Sequence, residues 1–444
     1  MTNFIRFLLI GTLSVLFSLN IFAQEKLELD LNKAIELALI HSENVKIKEL
    51  GIDRLEDQYD EALSYALPKI NAEVSWNRYF KSPVITADMG PPIGRIEAPL
   101  KQPYELQMGA TLTQPIWTFG KVFTAMEVAD RAREAQQFGL SSSKLNVEYS
   151  TKVLYNTVLF AQKTLQIAEN SYQNAMKNKR ILDKSVSYGR ASKFENVKMS
   201  ADVAMRRPVV MESKNKLNIA VKNLKRFLEI PESTELVLTG NITNKFVSYN
   251  PDVIINDMKS KEPTLKALKT NIETFKEIAK WRKADYYPSI GLFASYMYSG
   301  NSNNALVGTN NMFHSFVAGI AITGPLWDSF QRRSVYRQAM ADVGISELTY
   351  SKAEKDFRLA IESALSSYST LIETYKTVVE ALKLSRQSYK LSVSSYSTGK
   401  ISQTQLNDAE LLYTRAELEK ELTLYNISNL TAQIEKLSKE GVKQ

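Results

Sequence analysis

Four segments of the chain alternate between apolar and polar residues with a period of two. The alternation runs through residues 70–77, 106–113, 290–298 and 316–323. A period of two places every second side chain on the same face of a β-strand. Each run holds about ten residues, the length that a tilted strand needs to cross a bilayer. The pattern therefore predicts four strands, with a soluble sheet of two hairpins as the alternative.

Two other segments follow the spacing of a coiled coil. Residues 118–187 and 328–397 contain no proline, and their apolar residues recur at steps of three and four, which is a heptad seam. Seventy residues at about 1.5 Å each make a helix about 100 Å long. The first seam is Leu154, Val158, Ala161, Leu165, Ala168, Tyr172 and Ala175, and the second is Ile361, Leu365, Tyr368, Ile372, Tyr375, Val379 and Leu382, resumed at Tyr389, Val393 and Tyr396.

The order of these elements occurs twice. Pro115-Ile116-Trp117 returns as Pro325-Leu326-Trp327, and Gly189-Arg190-Ala191-Ser192 returns as Gly399-Lys400-Ile401-Ser402, both 210 residues later. Each half therefore contains a helix, two strands, a long helix, a turn and a returning helix. Between the halves lies a polar stretch with several prolines, for which a short strand and a helix are predicted. The predicted domains are a signal peptide (1–23), a first half (24–230), an equatorial insertion (231–262) and a second half (263–444).

The first 23 residues have the features of a targeting segment. Arg6 precedes an apolar run over residues 7–22, and the small residue Ala23 comes before the expected cut at Gln24. An uncleaved anchor is the alternative. Beyond this segment no 18 consecutive residues are apolar, so no membrane-spanning helix is predicted. A mature chain that crosses a membrane must then do so as a closed barrel.

Composition narrows the possible functions. The chain has no cysteine, which excludes disulfides, thiolate metal sites and a cysteine nucleophile. Its net charge of +8 is a small excess for 444 residues, and the sequence contains no Lys/Arg block typical of nucleic-acid binding. The two histidines, His41 and His314, have no ligand-like neighbours in the sequence, and the methionines are scattered. The chain is therefore predicted not to be an enzyme, and no cofactor, metal or nucleic-acid partner is expected.

Four strands are too few to close a barrel, since about eight is the smallest useful number. Open edges in lipid would leave backbone groups unpaired at a cost of several kcal/mol each. The strands are therefore expected to pair between copies of the chain. Two copies would leave a lumen filled by side chains, whereas three would leave room for a pore.

Four segments carry a resemblance to a known family: Leu31-Asn32-Lys33-Ala34-Ile35-Glu36-Leu37-Ala38-Leu39, Gln114-Pro115-Ile116-Trp117, Asn223-Leu224-Lys225-Arg226-Phe227-Leu228 and Tyr396-Ser397-Thr398-Gly399-Lys400-Ile401-Ser402. They resemble the TolC-type outer-membrane efflux proteins, and the resemblance covers nearly the whole mature chain. It implies a mainly α protein with a transmembrane β-barrel part: a long α-helical coiled-coil barrel plus four β-strands per subunit. It also implies a homotrimer with a twelve-stranded barrel, in contact with outer-membrane lipid and extending into the periplasm.

The resemblance further implies partners at the lower tips of the helical hairpins. A periplasmic membrane-fusion adaptor would dock there and link the channel to an inner-membrane pump. The energy for transport would come from that pump, since the sequence of this chain contains no P-loop for nucleotide binding. Gly189 and Gly399 are predicted to end the long helices, and Ser192 and Ser402 to cap the returning ones. The alternative to a docking role is that these segments are only turns. The predicted docking residues are Tyr188, Gly189, Arg190, Ser192, Thr398, Gly399, Lys400 and Ser402.

Members of this family can carry an acidic ring that narrows the mouth of the tunnel. Counting from Gly399, the ring positions fall on Gln405 and Asp408, and only Asp408 is acidic. Three copies of Asp408 would repel one another and attract cations. Gln405 departs from the pattern, which argues against a strong cation-binding gate, and a solvated helix carboxylate is the alternative for Asp408. Tyr375 and Arg386 are further candidates for a network that closes the tunnel.

The predicted function is the outer-membrane channel of a tripartite efflux or secretion system. A secreted coiled-coil envelope tether without conduction is the alternative. It accounts for the heptad seams but not for the four alternating strands. Small toxic molecules, proteins and polysaccharides are all candidate cargoes, because substrate choice in such systems usually lies with the pump.

Overall fold

The computed structural model describes residues 26–189, 191–242, 246–308 and 312–438. The predicted signal peptide and the predicted tip residue Arg190 lie outside this part of the chain. Among the residues that the structure describes, no helix combines the length and the apolar character needed to span a bilayer.

The described part of the chain is mainly helical, as predicted. The two proline-free segments each form one helix of 67 residues, α3 and α7, and most of their seam residues are buried or half-buried. In chain order the helices are α1 (Leu31–His41), α2 (Glu43–Ser64), α3 (Lys121–Ser187), α4 (Lys193–Phe227), α5 (Pro251–Lys261), α6 (Pro263–Ala284), α7 (Gln331–Ser397) and α8 (Gln403–Ser438).

The four predicted strands are confirmed as β2, β5, β7 and β8. A hairpin, β3–β4, also forms in the proline-containing segment between β2 and β5, for which no strand was predicted, and its ladder runs from Val84 opposite Pro99 to Asp88 opposite Arg95. Prolines are tolerated there because they lie at the strand ends and in the turn, outside the interior of the ladder. The strands are β1 (Lys26–Leu29), β2 (Lys69–Arg78), β3 (Val84–Asp88), β4 (Arg95–Pro99), β5 (Tyr104–Trp117), β6 (Glu235–Leu238), β7 (Ser289–Ser302) and β8 (Met312–Thr323).

Strands β2, β5, β7 and β8 form one antiparallel sheet in that order. The register places the four apolar stripes on one face: Val74 lies opposite Met108, which lies opposite Tyr298. On the other face Gly109 allows strands β5 and β7 to approach closely, because a Cβ there would lie 2.8 Å from the Tyr296 carbonyl oxygen. The apolar face consists of Ile70, Ala72, Val74, Trp76, Leu106, Met108, Ala110, Leu112, Ile290, Leu292, Ala294, Tyr296, Tyr298, Phe316, Ala318, Ile320 and Ile322.

The chain divides into two compact units. One holds the segment up to Ile47, Leu140–Glu262 and the segment from Glu354, and the other holds Lys48–Gly139 and Pro263–Ala353. The core of the first unit packs α1, α3 and α4 around Val158 and Leu224, both fully buried. The second unit contains the four-stranded sheet, and in it α6 packs on α7 through a small cluster. That cluster is Ala279, Ala339 and Val343, with Phe275, Ile278 and Tyr336 packed against it.

The described residues of the predicted insertion form one strand and one helix. Strand β6 pairs in parallel with β1, with Leu236 opposite Leu27. The Tyr155 hydroxyl of α3 anchors this pair by donating to the Leu29 carbonyl oxygen (3.1 Å) and accepting from the Gly240 N–H (3.2 Å). Helix α5 follows within the same range. The predicted domain boundaries themselves stay a prediction.

Both long helices end at a glycine in the left-handed region. At the end of α7, the Lys400 N–H donates to the Ser395 carbonyl oxygen (2.9 Å) and the Gly399 N–H to that of Tyr396 (3.0 Å). This pair of bonds is a Schellman motif, with Gly399 at φ 73°. At the end of α3, Gly189 has φ 68° and donates to the Val186 carbonyl oxygen (2.9 Å).

The helices that return from these turns begin with matching caps. The Glu195 N–H donates to Ser192 Oγ (3.2 Å), and the Ser192 N–H donates to Glu195 Oε2 (3.0 Å). Likewise the Gln405 N–H donates to Ser402 Oγ (3.3 Å), and the Ser402 N–H donates to Gln405 Oε1 (2.8 Å). Both are capping boxes, so the predicted N-cap roles of the two serines are confirmed.

Replacing Gly399 with alanine should lower the stability of the folded protein by about 1 kcal/mol, because its φ of 73° strains any residue that has a Cβ. Gly344 is the matched control: it lies inside α7, and a Cβ there also meets nothing within 4 Å. Gly344→Ala should raise stability by about 0.5–1 kcal/mol. Thermal unfolding followed by circular dichroism measures both shifts, and shifts of the same sign would contradict the role given to Gly399.

Candidate functional site

The candidate site comprises the two turns at which the helical hairpins reverse, α3 to α4 and α7 to α8. All the predicted tip residues that the structure describes are exposed, and Tyr188 has 74% of its surface accessible. The two turns are neighbours, since the Lys198 ammonium in the first turns of α4 donates to the Thr404 hydroxyl at the start of α8 (3.1 Å). The tips are therefore accessible as a single surface, and their predicted role in adaptor docking stays a prediction.

The two predicted gate residues have different surroundings. The Gln405 side chain is held in the capping box with Ser402, so it serves the turn. Asp408 is exposed and makes no ion pair with a described residue. The sequence Ser402-Gln403-Thr404-Gln405 is itself the signal for a capping box and could have shown this use of Gln405. The gate role of both residues stays a prediction.

Above the tips, a buried ion pair joins the two hairpins. Arg206 of α4 donates through Nη1 to Glu410 Oε1 of α8 (2.6 Å). The same nitrogen donates to the carbonyl oxygen (3.0 Å) and hydroxyl (2.8 Å) of Ser171 in α3, and Arg206 Nε donates to Asp202 (3.1 Å). The Glu410 side chain is 2% exposed. One arginine thus ties three of the helices together.

The second oxygen of Glu410 is buried and has no hydrogen-bond partner among the described residues. Burial raises the pKa of Glu410, and the attraction of Arg206 opposes this shift without cancelling it. Beside this carboxyl, Tyr389 stacks on Tyr413 at 5.6 Å between ring centroids. Burial and the nearby Glu410 charge raise the pKa of Tyr389 to about 12. The seam between the hairpins therefore contains polar groups that are costly to leave unpaired.

Sequence reasoning did not single out this ion pair. An acid at a heptad position has the same spacing in the sequence whether it faces solvent or a neighbouring helix. The candidate closure residues lie apart: the Tyr375 ring packs against Phe246 (5.2 Å), and the exposed Arg386 lies within electrostatic range of Tyr413 and Glu417.

Replacing Arg206 with methionine should destabilise the protein by about 3–5 kcal/mol, because it leaves the buried Glu410 carboxyl without its counter-charge and its hydrogen bond. Glu410→Gln keeps the shape without the charge and should cost less than about 1.5 kcal/mol. Melting temperatures of the two variants and the wild type test this difference. Equal destabilisation by both variants would contradict the argument.

The same ion pair predicts a pH dependence. A carboxyl whose pKa is raised on folding stabilises the folded state below its ordinary value of 4.5, and this contribution is lost as the pH rises through the folded-state pKa. From about pH 4 to about pH 8, the wild type should therefore lose stability relative to Glu410→Gln. A wild type that gains stability relative to the variant over this range would contradict the raised pKa.

Comparisons with known proteins agree with this architecture. A family profile described as outer membrane efflux protein matches residues 34–228 and 254–438. None of the curated proteins matches the chain significantly. Among solved structures, the CmeC outer membrane channel of Campylobacter jejuni superposes with a TM-score of 0.76 at 16% identity, covering 92% of this chain and 85% of that one.

Two further structures are similar to this chain. The outer membrane protein VceC of Vibrio cholerae gives a TM-score of 0.74 at 14% identity, covering 92% of this chain and 95% of that one. The open state of the MtrE outer membrane channel of Neisseria gonorrhoeae gives a TM-score of 0.73 at 16% identity, covering 92% of this chain and 88% of that one. At these identities the likeness shows the fold, and the two matched segments of the family profile together span most of the chain. The chain therefore belongs to the outer membrane efflux protein family, whose members are outer-membrane channels that extend into the periplasm.

Proposed function

We propose that this protein is the outer-membrane channel subunit of a tripartite efflux or secretion system, and that three copies form the exit duct from the periplasm to the outside. The observation that carries the proposal is the four-stranded sheet, which has one apolar face. Its edge strands are β2, which pairs only with β5, and β8, which pairs only with β7, so the outer edge of each has no partner among the described strands. The proposal keeps the predicted organisation, in which each half (24–230 and 263–444) supplies two strands and one helical hairpin.

The open edges supply the argument for several copies. In lipid, an unpaired backbone group costs several kcal/mol, so the edge of β2 requires a partner. The free edge of β8 in a neighbouring copy can be that partner, and three copies give a closed barrel of twelve strands. The apolar face would then meet outer-membrane lipid, and the opposite face, which contains Glu73, Thr111 and Ser295, would line water.

Aromatic rings near both ends of the apolar face support this placement. Trp76 packs against Tyr104 at one end (5.5 Å between ring centroids). At the other end Trp117 and Trp327 are 56% and 72% exposed. Paired aromatic girdles at headgroup depth are typical of transmembrane barrels.

The tips of the hairpins are the proposed docking surface for a periplasmic membrane-fusion adaptor, which connects to the inner-membrane pump. Family membership implies assembly with such partners. The exposed turns and their rigid caps support docking here, because a preorganised surface loses little conformational entropy on binding. Asp408 is the proposed gate carboxylate, and Gln405 contributes a cap at that mouth instead of a second charge.

A secreted tether without conduction is the weaker alternative. Long helices would suffice for a tether. The amphipathic sheet would not be needed, and its exposed apolar face would favour aggregation in water.

Electron microscopy of the mature protein, extracted from the outer membrane in detergent, tests the proposal directly. We expect a threefold particle with a detergent belt at one end, because the closed apolar surface of the barrel binds detergent. A compact monomer, or a rod without a belt, would contradict the channel and favour the tether.

Replacing Asp408 with asparagine should reduce the preference for cations in planar bilayers several-fold, because it removes three carboxylates from one constriction. Glu380→Gln is the control, since Glu380 is exposed on α7 and makes no ion pair with a described residue. Unchanged selectivity for Asp408→Asn, or the same change in both variants, would remove Asp408 from the gate.

A further inference from the structure

The positive charge of the chain is concentrated at the tips of the hairpins. Windows of sixteen residues on either side of Gly189 and Gly399 cover 173–205 and 383–415, and together they contain 12 Lys and Arg residues but 5 Asp and Glu. The whole chain has 56 Lys and Arg residues and 48 Asp and Glu residues. The part outside the two windows therefore contains 44 basic and 43 acidic residues and is nearly neutral. A small part of the chain therefore accounts for most of its net charge.

The structure increases this imbalance, because most tip acids are already engaged. Asp183 pairs with Lys179 (2.8 Å), and the Glu195 side chain caps Ser192. Asp202 and the buried Glu410 both face Arg206. Of the five acids, only Asp408 remains exposed without an ion pair to a described residue.

The tip cations are in the opposite situation. Ten of the eleven that the structure describes are exposed, and none of these ten forms an ion pair within the described part of the chain. They include Lys184 at the end of α3, and Lys193 and Lys198 at the start of α4. Because no ion pair neutralises them, their charges add up to an electropositive surface.

Large apolar side chains lie among these cations. Tyr188, Phe194 and Val197 are 74%, 75% and 69% exposed. On α4 the pairs Lys193/Val197 and Phe194/Lys198 are four residues apart, so each apolar residue has a cation beside it on the helix surface. Aromatic residues are enriched at protein-binding surfaces, where a polar rim surrounds them. We name Lys184, Tyr188, Lys193, Phe194, Val197 and Lys198 the tip patch.

We infer that the tip patch binds an acidic protein surface, so that the docking face of the periplasmic partner carries Asp and Glu residues around a small apolar area. This inference rests on the proposed function, since it assigns a chemistry to the partner that docks at the tips. Charge complementarity speeds the encounter and sets the orientation, and the three apolar side chains supply burial.

Fluorescence anisotropy with labelled peptides tests the inference on the full protein in detergent. Decaglutamate should bind and decalysine should not, and binding should weaken as salt rises, because exposed charges are screened within about 10 Å at 0.1 M. The triple variant Lys184→Glu, Lys193→Glu and Lys198→Glu should bind decaglutamate at least about tenfold more weakly.

The matched control is Lys144→Glu, Lys214→Glu and Lys222→Glu, which makes the same change of charge at three exposed lysines outside the tip windows. It should bind decaglutamate within about twofold of the wild type. A second probe of alternating Glu and Leu should bind the wild type more tightly than decaglutamate does, and Phe194→Ser should remove that advantage, since it removes the aromatic anchor.

The outcomes separate this inference from the proposed function. A wild type that conducts in planar bilayers but binds both charged peptides alike overturns the inference alone. A wild type that binds decaglutamate through the tip patch but neither trimerises nor conducts overturns the proposed function. An equal loss of decaglutamate binding in both triple variants would show a non-specific charge effect. Binding of phosphatidylglycerol vesicles in place of decaglutamate would assign the tip patch to a membrane. Either result would overturn the inference.

Discussion

Pairing of the backbone groups along a sheet edge is the constraint on which this architecture depends. The four strands of one chain satisfy each other internally and leave the outer edges of β2 and β8 without a partner in the described chain. In water, side chains and solvent could cover such edges, but lipid offers no hydrogen bonds. Under the proposed function the sheet lies in lipid, so its two open edges would pair with further copies of the chain, and the proposed pore would result from that pairing.

At the tips of the helical hairpins a second constraint applies: the chain must reverse direction while the backbone N–H and C=O groups at the helix ends keep hydrogen-bond partners. Glycine in the left-handed region ends α3 and α7, and a capping box starts α4 and α8. These bonds use the side chains of Glu195 and Gln405 in the turns themselves. The bundle also neutralises acids near the tips, because Asp183, Asp202 and Glu410 are paired with Lys179 and Arg206. The exposed face of the tips is positive as a result.

Buried charge is the cost of this arrangement. Arg206 joins α3, α4 and α8 through four hydrogen bonds, yet the second oxygen of Glu410 lacks a partner among the described residues. A buried ion pair of this kind adds little net stability but penalises any packing that separates its members. A shift of α8 by one heptad against α4 would separate Arg206 from Glu410 and would carry that penalty.

The sequence by itself determined the elements, because periods of two and of three to four are local properties of a strand and a helix. It identified the four strands, the two 67-residue helices, the glycine turns and both serine caps. It did not identify the hairpin β3–β4, whose prolines resemble those of a loop until their positions at the strand ends are known. Only the tertiary structure decided which acids are buried and which cations stay exposed, since Glu410 and Asp408 lie two residues apart on one helix with opposite environments. The physical reason is that burial depends on which helices pack together, and a single helix does not specify its neighbours.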